Sequence, residues 1–285
     1  MSYKTVLVHV NDERRLPGLL QAAIPLAAKS TAHLIGLSVV PPVIIAPMGD
    51  VVMTIPAVIE EHRNAYRIEE ARMKAAFNKA TEEQVRFGAF TAEWRSLDAA
   101  YLPTTADKLM PAARAADLVI ASQSDDAWFN SDMLDVPDRL ATDSGRPVLI
   151  IPNKPRAPFS TKRILVAWNG RREATRAVFD AMPLLKGADE VKVIWIAPDT
   201  DSDAAGDLPG VALCAALSRH GIKVEQASIV PKFSAEETLL FEATKFGWDL
   251  LVMGCYGHSR LREFVLGGAT RHVLVNTTIP VLMSH

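Results

Sequence analysis

Apolar positions along the chain fall into two kinds of pattern. Short runs of Val, Ile and Leu with few polar interruptions lie near 4–10, 33–40, 90–96, 117–121 and 147–151, and again near 163–168, 191–196, 223–229, 249–253 and 280–283. Runs that are apolar on both faces suit strands buried inside a parallel sheet. Between them, longer stretches with helical spacing cover 13–29, 57–87, 103–115 and 133–144, then 171–185, 208–220, 234–246 and 268–276. Regular strand–helix alternation predicts an α/β fold of doubly wound type, with right-handed crossovers.

The strand runs repeat. TVLVHVN at Thr5–Asn11 matches RILVAWN at Arg163–Asn169, an offset of 158. ADLVIAS at Ala116–Ser122 matches WDLLVMG at Trp248–Gly254, an offset of 132 from Asp117 to Asp249. RPVLIIP at Arg146–Pro152 matches IPVLMSH at Ile279–His285, an offset of 133 from Pro147 to Pro280. Three matches in one order, two of them at nearly equal offsets, indicate a duplication whose second copy is shorter in its middle. The expected organisation is two tandem Rossmann-like domains, 1–153 and 161–285, each with a mainly parallel five-stranded sheet. The proline-rich, polar KPRAPFS at 154–160 is the expected linker. RPVLIIP and IPVLMSH are candidates to pair within the chain as an internal pseudo-dimer, with a homodimer of chains as a further option.

In doubly wound sheets, ligands bind beyond the carboxyl ends of the strands where strand order reverses. The turn after the fourth strand of the second copy is MGCYGHSRLREFVLGGATRHVL, Met253–Leu274. Two residues separate Gly254 from Gly257, nine residues separate Gly257 from Gly267, and Gly268, Ala269 and Thr270 open a helical segment. Bare backbone amides in such a turn, joined to those of a helix N-terminus, form an anion site. His258, Arg260 and Arg262 can add positive charge. The plainer alternative is that these glycines only punctuate turns; four of them between a buried strand and a helix favour phosphate binding.

That spacing resembles the signature of the universal stress protein family: a glycine, two residues, a glycine, nine residues, a glycine, then a serine or threonine. The resemblance extends over both halves, so the chain is similar to tandem members of the family. Gly268 stands where the hydroxyl residue is usual, and Thr270 lies two positions late. In ATP-binding members the first strand ends in an aspartate within D-G-S; here the residues are Trp168, Asn169, Gly170 and Arg171. Asn169 keeps an acceptor oxygen and adds a donor. The resemblance implies an ATP or other adenine-nucleotide site, with magnesium as a companion ion. It is formed by Trp168, Asn169, Ile196, Ala197, Met253, Gly254, Gly257, Arg260, Gly267, Gly268, Ala269 and Thr270. Ile196 and Ala197 would frame the adenine.

The corresponding turn of the first half, ASQSDDAWFNSDMLDVPDRLATDSG, has no glycine between Ala121 and Gly145 and carries Asp125, Asp126, Asp132, Asp135 and Asp138. Carboxylates repel a triphosphate, so this half is expected not to bind ATP; a solvated acidic loop outweighs a metal site there. Asn11 keeps the place equivalent to Asn169.

Composition narrows the remaining choices. With 285 residues, 49% hydrophobic and 22% charged, the chain is not of disordered type. A net charge of −2, split as −3 before residue 155 and +1 after it, lacks the basic excess of a nucleic-acid binder. The most apolar stretch, Pro41–Ile59, contains Asp50 and four prolines, and so does not read as a membrane helix. It reads as a partly buried loop or, alternatively, a surface lid over an apolar ligand. The only cysteines, Cys214 and Cys255, make no disulfide framework and no four-ligand zinc site. Both read as packed residues in a cytoplasmic protein. Walker, dinucleotide and nucleophile-elbow sequences are absent. The function expected is regulatory nucleotide binding in a stress response, without catalytic residues. The rivals are slow ATP hydrolysis at the same loop and a nucleotide-free scaffold or apolar-ligand carrier.

Overall fold

The structure, a computed structural model, describes residues 2–40, 56–98, 104–124, 136–196, 210–231, 233–255 and 268–285. The first half runs β1 (Thr5–His9), α1 (Leu16–Ser30), β2 (His33–Val40), α2 (Pro56–Arg86), β3 (Thr91–Asp98), α3 (Thr105–Arg114), β4 (Leu118–Ser122), α4 (Val136–Asp143) and β5 (Val148–Ile151). The second runs β6 (Arg163–Ala167), α5 (Arg172–Asp180), α6 (Met182–Leu185), β7 (Glu190–Ile196), α7 (Val211–Arg219), β8 (Val224–Ile229), α8 (Ala235–Lys245), β9 (Leu250–Gly254), α9 (Gly268–Asn276) and β10 (Val281–Ser284). Most of the Pro41–Ile59 stretch lies outside the described residues.

All strands join one ten-stranded sheet in the order β3-β2-β1-β4-β5-β10-β9-β6-β7-β8. Each half is a parallel sheet with its first strand between its second and fourth. The halves meet where β10 pairs antiparallel with β5, Leu282 opposite Leu149. The two repeated C-terminal strands therefore do pair within the chain. One consequence is that neither remains as a free edge, and the outer strands are β3 and β8. Those two are the most exposed of the sheet, whereas β4, β5 and β10 are buried throughout. Alternate strand residues feed two apolar layers. Val6, Val8, Ile164 and Val166 face α1, α2, α5, α6 and α7, and Leu7, Leu165, Val119 and Leu251 face α3, α4, α8 and α9.

The helix expected over 171–185 is broken into α5 and α6 at Ala181. Pro183 lacks the N–H that an unbroken helix would use at that point, and it sits in the first turn of α6, where none is needed. The linker stretch has neither helix nor strand and is fastened to the second half, Arg156 N donating to Thr278 O at 3.0 Å. Among the described residues, no helix is long and apolar enough to cross a membrane.

Candidate functional site

In the second half the strand order reverses between β6 and β9, which pair in parallel with Val166 opposite Val252. The chain leaves β6 toward α5 on one face and leaves β9 toward α9 on the other. A crevice opens between two such departures.

At the end of β6, Trp168 N donates to Ile194 O at 2.9 Å, which prolongs the pairing with β7. The Trp168 ring is half-buried against the apolar layer under α5 and α7. It closes over Gly210, where an added methyl would come within 3.4 Å of Cδ1. Asn169 is exposed, and its Oδ1 accepts from Arg171 N at 3.1 Å. Gly170 takes the left-handed φ of +70° that this turn requires. The acceptor of Asn169 thus shapes the β6–α5 turn, and the side-chain amide is what the residue can offer a ligand.

At the end of β9, Met253 is buried beside Met283 of β10, so its side chain belongs to the core. Gly254 is glycine for a spatial reason. A Cβ there would lie 2.5 Å from Ala174 N and from the Glu173 carbonyl carbon. The first turn of α5 rests directly on this backbone, and that contact locks the β6 turn to the β9 turn. Cys255 N donates to Ser284 O at 3.0 Å, and its single S–H has two acceptors in reach, Ser284 O at 3.4 Å and Ala141 O at 3.5 Å. Burial, with the nearby Asp138 charge, pushes this thiol up to about 12, so the buried-residue reading of Cys255 holds and a reactive thiolate does not.

Gly257, His258, Arg260, Arg262 and Gly267 lie outside the described residues, as does Ala197. Ile196 ends β7, half-buried against the second apolar layer. The helix α9 opens at Gly268, with Ala269 and a buried Thr270 in its first turn. The first amides of a helix have no partner inside it, so this turn can present N–H groups to an anion.

The equivalent place in the first half carries different groups. Ser122 Oγ, at the end of β4, donates to Asn11 Oδ1 at 3.4 Å. Asp12 is buried, and its Oδ1 accepts from Arg14 N at 2.8 Å. Burial pushes this carboxyl up, but the Arg14 side-chain and backbone hydrogen bonds outweigh it and hold Asp12 below the usual carboxylate range. The helix α4 carries Asp138 in its first turn, 132 residues before Thr270. A carboxylate there complements the helix dipole from within the chain. Asp125, Asp126, Asp132 and Asp135 lie outside the described residues. Among the described residues, no group of His, Cys, Asp or Glu side chains could hold a metal ion.

The model of the universal stress protein family matches residues 160–285. This part of the chain belongs to that family. A universal stress protein of Synechocystis is 42% identical over 66 residues, which are 23% of this chain and 22% of that relative's length. Across the full chain the fold is shared with a universal stress protein of Archaeoglobus fulgidus, at a TM-score of 0.67, 16% identity and coverage of 98% of this chain and 95% of that one. A similar likeness holds to a universal stress protein structure from Pseudomonas aeruginosa, at a TM-score of 0.63, 16% identity and coverage of 99% and 93%. The universal stress fold therefore spans both halves, while the sequence match to the family lies in the second.

Sequence reasoning picked out Asn169 and Gly254 but not their structural tasks. It passed over Gln123, which lies at the β4 end in a stretch read as acidic loop. Its position one residue past the repeated ADLVIAS was the signal available.

Proposed function

We propose that the universal stress domain of the second half binds an adenine nucleotide, ATP in the first instance, in the crevice between the ends of β6 and β9. The bound state would regulate a cytoplasmic stress response. One observation carries this reading: the reversal of strand order at β6 and β9 sets the first turn of α5, which follows directly on Asn169–Gly170, against Gly254. From there the chain runs through the glycine spacing into the first turn of α9. Trp168 and Met253 contribute through their backbone, since their side chains pack inward. The Asn169 amide faces the ligand, and the opening amides of α9 cradle phosphate oxygens. Magnesium, when bound, neutralises phosphate charge. The first half, with Ser122 bonded to Asn11 and Asp138 at its helix start, serves as the structural partner.

The test is calorimetric titration of the full chain with ATP, repeated on Gly257→Asp. Saturable binding that the substitution abolishes supports the proposal. A silent titration, with no nucleotide detected by mass spectrometry in the purified protein, rejects it in favour of a scaffold. Phosphate release at background while ATP binds separates binding from hydrolysis.

A further inference from the structure

We propose that Gln123, a residue of the first half, is a positioning residue that clasps α9 for anion binding in the second half and so couples the two halves. Gln123 is buried, and its Nε2 donates to Val275 O at 2.8 Å and to Thr277 O at 3.1 Å. These carbonyls lie at the C-terminal end of α9, where a helix leaves its acceptors unpaired. Both amide hydrogens of the side chain are thus spent on one helix end. The clasp is itself held. Gln123 Oε1 accepts from Asn153 N at 3.0 Å. The Gln123 carbonyl accepts from Arg15 Nη1 at 3.1 Å and from Asn153 Nδ2 at 3.2 Å. Arg15 immediately precedes α1, in the turn that follows β1 of the first half.

The arrangement is reciprocal but unequal. Cys255, 132 residues after Gln123, reaches across the same seam to Ala141 O of α4. A thiol is a weak donor, whereas the Gln123 amide supplies two strong hydrogen bonds. The strong clasp therefore falls on α9, the helix that opens onto the glycine loop. The weak one falls on α4, whose first turn carries Asp138. Nine residues of helix span about 14 Å. A short rod fixed at its C-terminal end presents its N-terminal amides at a set height above the sheet. A ligand that moves or orders those amides acts in turn on Gln123, Asn153 and Arg15. A change at Gln123 that frees the end of α9 in turn alters affinity in the second half.

This inference rests on the nucleotide reading, and its test separates the two. Gln123→Glu keeps the shape but turns an oxygen toward the two carbonyls; Gln123→Met removes the polar group and serves if the first variant does not fold. Hydrogen exchange is followed in α9 and at the Asn153 amide, with and without ATP, beside an ATP titration. Expected are several-fold faster exchange confined to α9 and the Asn153 turn, β6–β8 unchanged, and ATP affinity lower by about tenfold. In the wild type, ATP alters protection of the Asn153 amide, and in the variants it does not. Wild-type exchange in α9, or faster exchange with unaltered ATP affinity, overturns the proposal. A wild-type chain that takes no ATP sinks the nucleotide reading and the coupling with it, while exchange in the variants still decides whether Gln123 holds α9.

Discussion

Asp117 and Asp249 hold the same post in the two halves, 132 residues apart. Asp117 Oδ2 accepts from Lys4 N at 2.8 Å and Thr5 N at 3.0 Å. Asp249 Oδ2 accepts from Lys162 N at 3.0 Å, Arg163 N at 2.9 Å and Ser160 Oγ at 2.8 Å. Each carboxylate begins the strand that will end at its half's switch point, so the repeated aspartate sets where the central strand starts. Replacing either by Ala is expected to cost about 1–3 kcal/mol, because in each half one part-buried amide, that of Thr5 or of Arg163, loses a charged acceptor. The double variant should be close to additive, since the sites share no partner. Urea denaturation of the two single variants and the double checks this; a double loss well short of the sum rejects independence.

Gly254→Ala should destabilise by about 1–3 kcal/mol, since the methyl would press on the backbone of α5 rather than on a yielding side chain. Gly18→Ala meets only Ile151 Cγ2, at 4.0 Å, and lies within α1, so it should be neutral or better. Thermal melts of the two variants make the comparison. Equal behaviour would show that the α5 contact does not constrain Gly254.

His9 makes stability pH-dependent. It is buried at the end of β1, and among the described residues its Nε2 has no hydrogen-bond partner. Burial pushes the ring down to about 4, from an ordinary value near 6.5. As pH falls, the unfolded chain therefore takes up the proton first. The His9 contribution is fully present above about pH 6.5 and drains away toward pH 4, on the order of 3 kcal/mol. His9→Leu should flatten chemical-denaturation stability between pH 6.5 and about 4, a window fixed by those two values. An unchanged slope in the variant would show that His9 is not the group responsible.

Asn169→Ala removes the acceptor that closes the β6–α5 turn and the side-chain amide assigned to the ligand in the proposal, and it should weaken ATP binding about tenfold or more. Asn11→Ala removes the equivalent residue of the first half and should leave ATP affinity unaltered. Parallel titrations decide the assignment of the site; a loss in Asn11→Ala matching that in Asn169→Ala would place the ligand elsewhere.

The local pattern was sufficient for the fold class. Apolar runs too short for helices and buried on both faces, repeated in order, specify strands of a parallel sheet, and β1, β4, β5 and their counterparts β6, β9, β10 lie where those runs do. The glycine spacing likewise marked the second half, because φ freedom and bare backbone are properties of residue type. What the linear chain left open depends on contacts across it. That Gly254 yields room to α5 and that Gln123 reaches α9 follow from how segments 80 or more residues apart are stacked, and that Trp168 turns inward follows from its packing against the layer under α5 and α7. Side-chain chemistry is written residue by residue, but which atoms lie within 3 Å of one another is decided only when the sheet is assembled and its helices are laid on it.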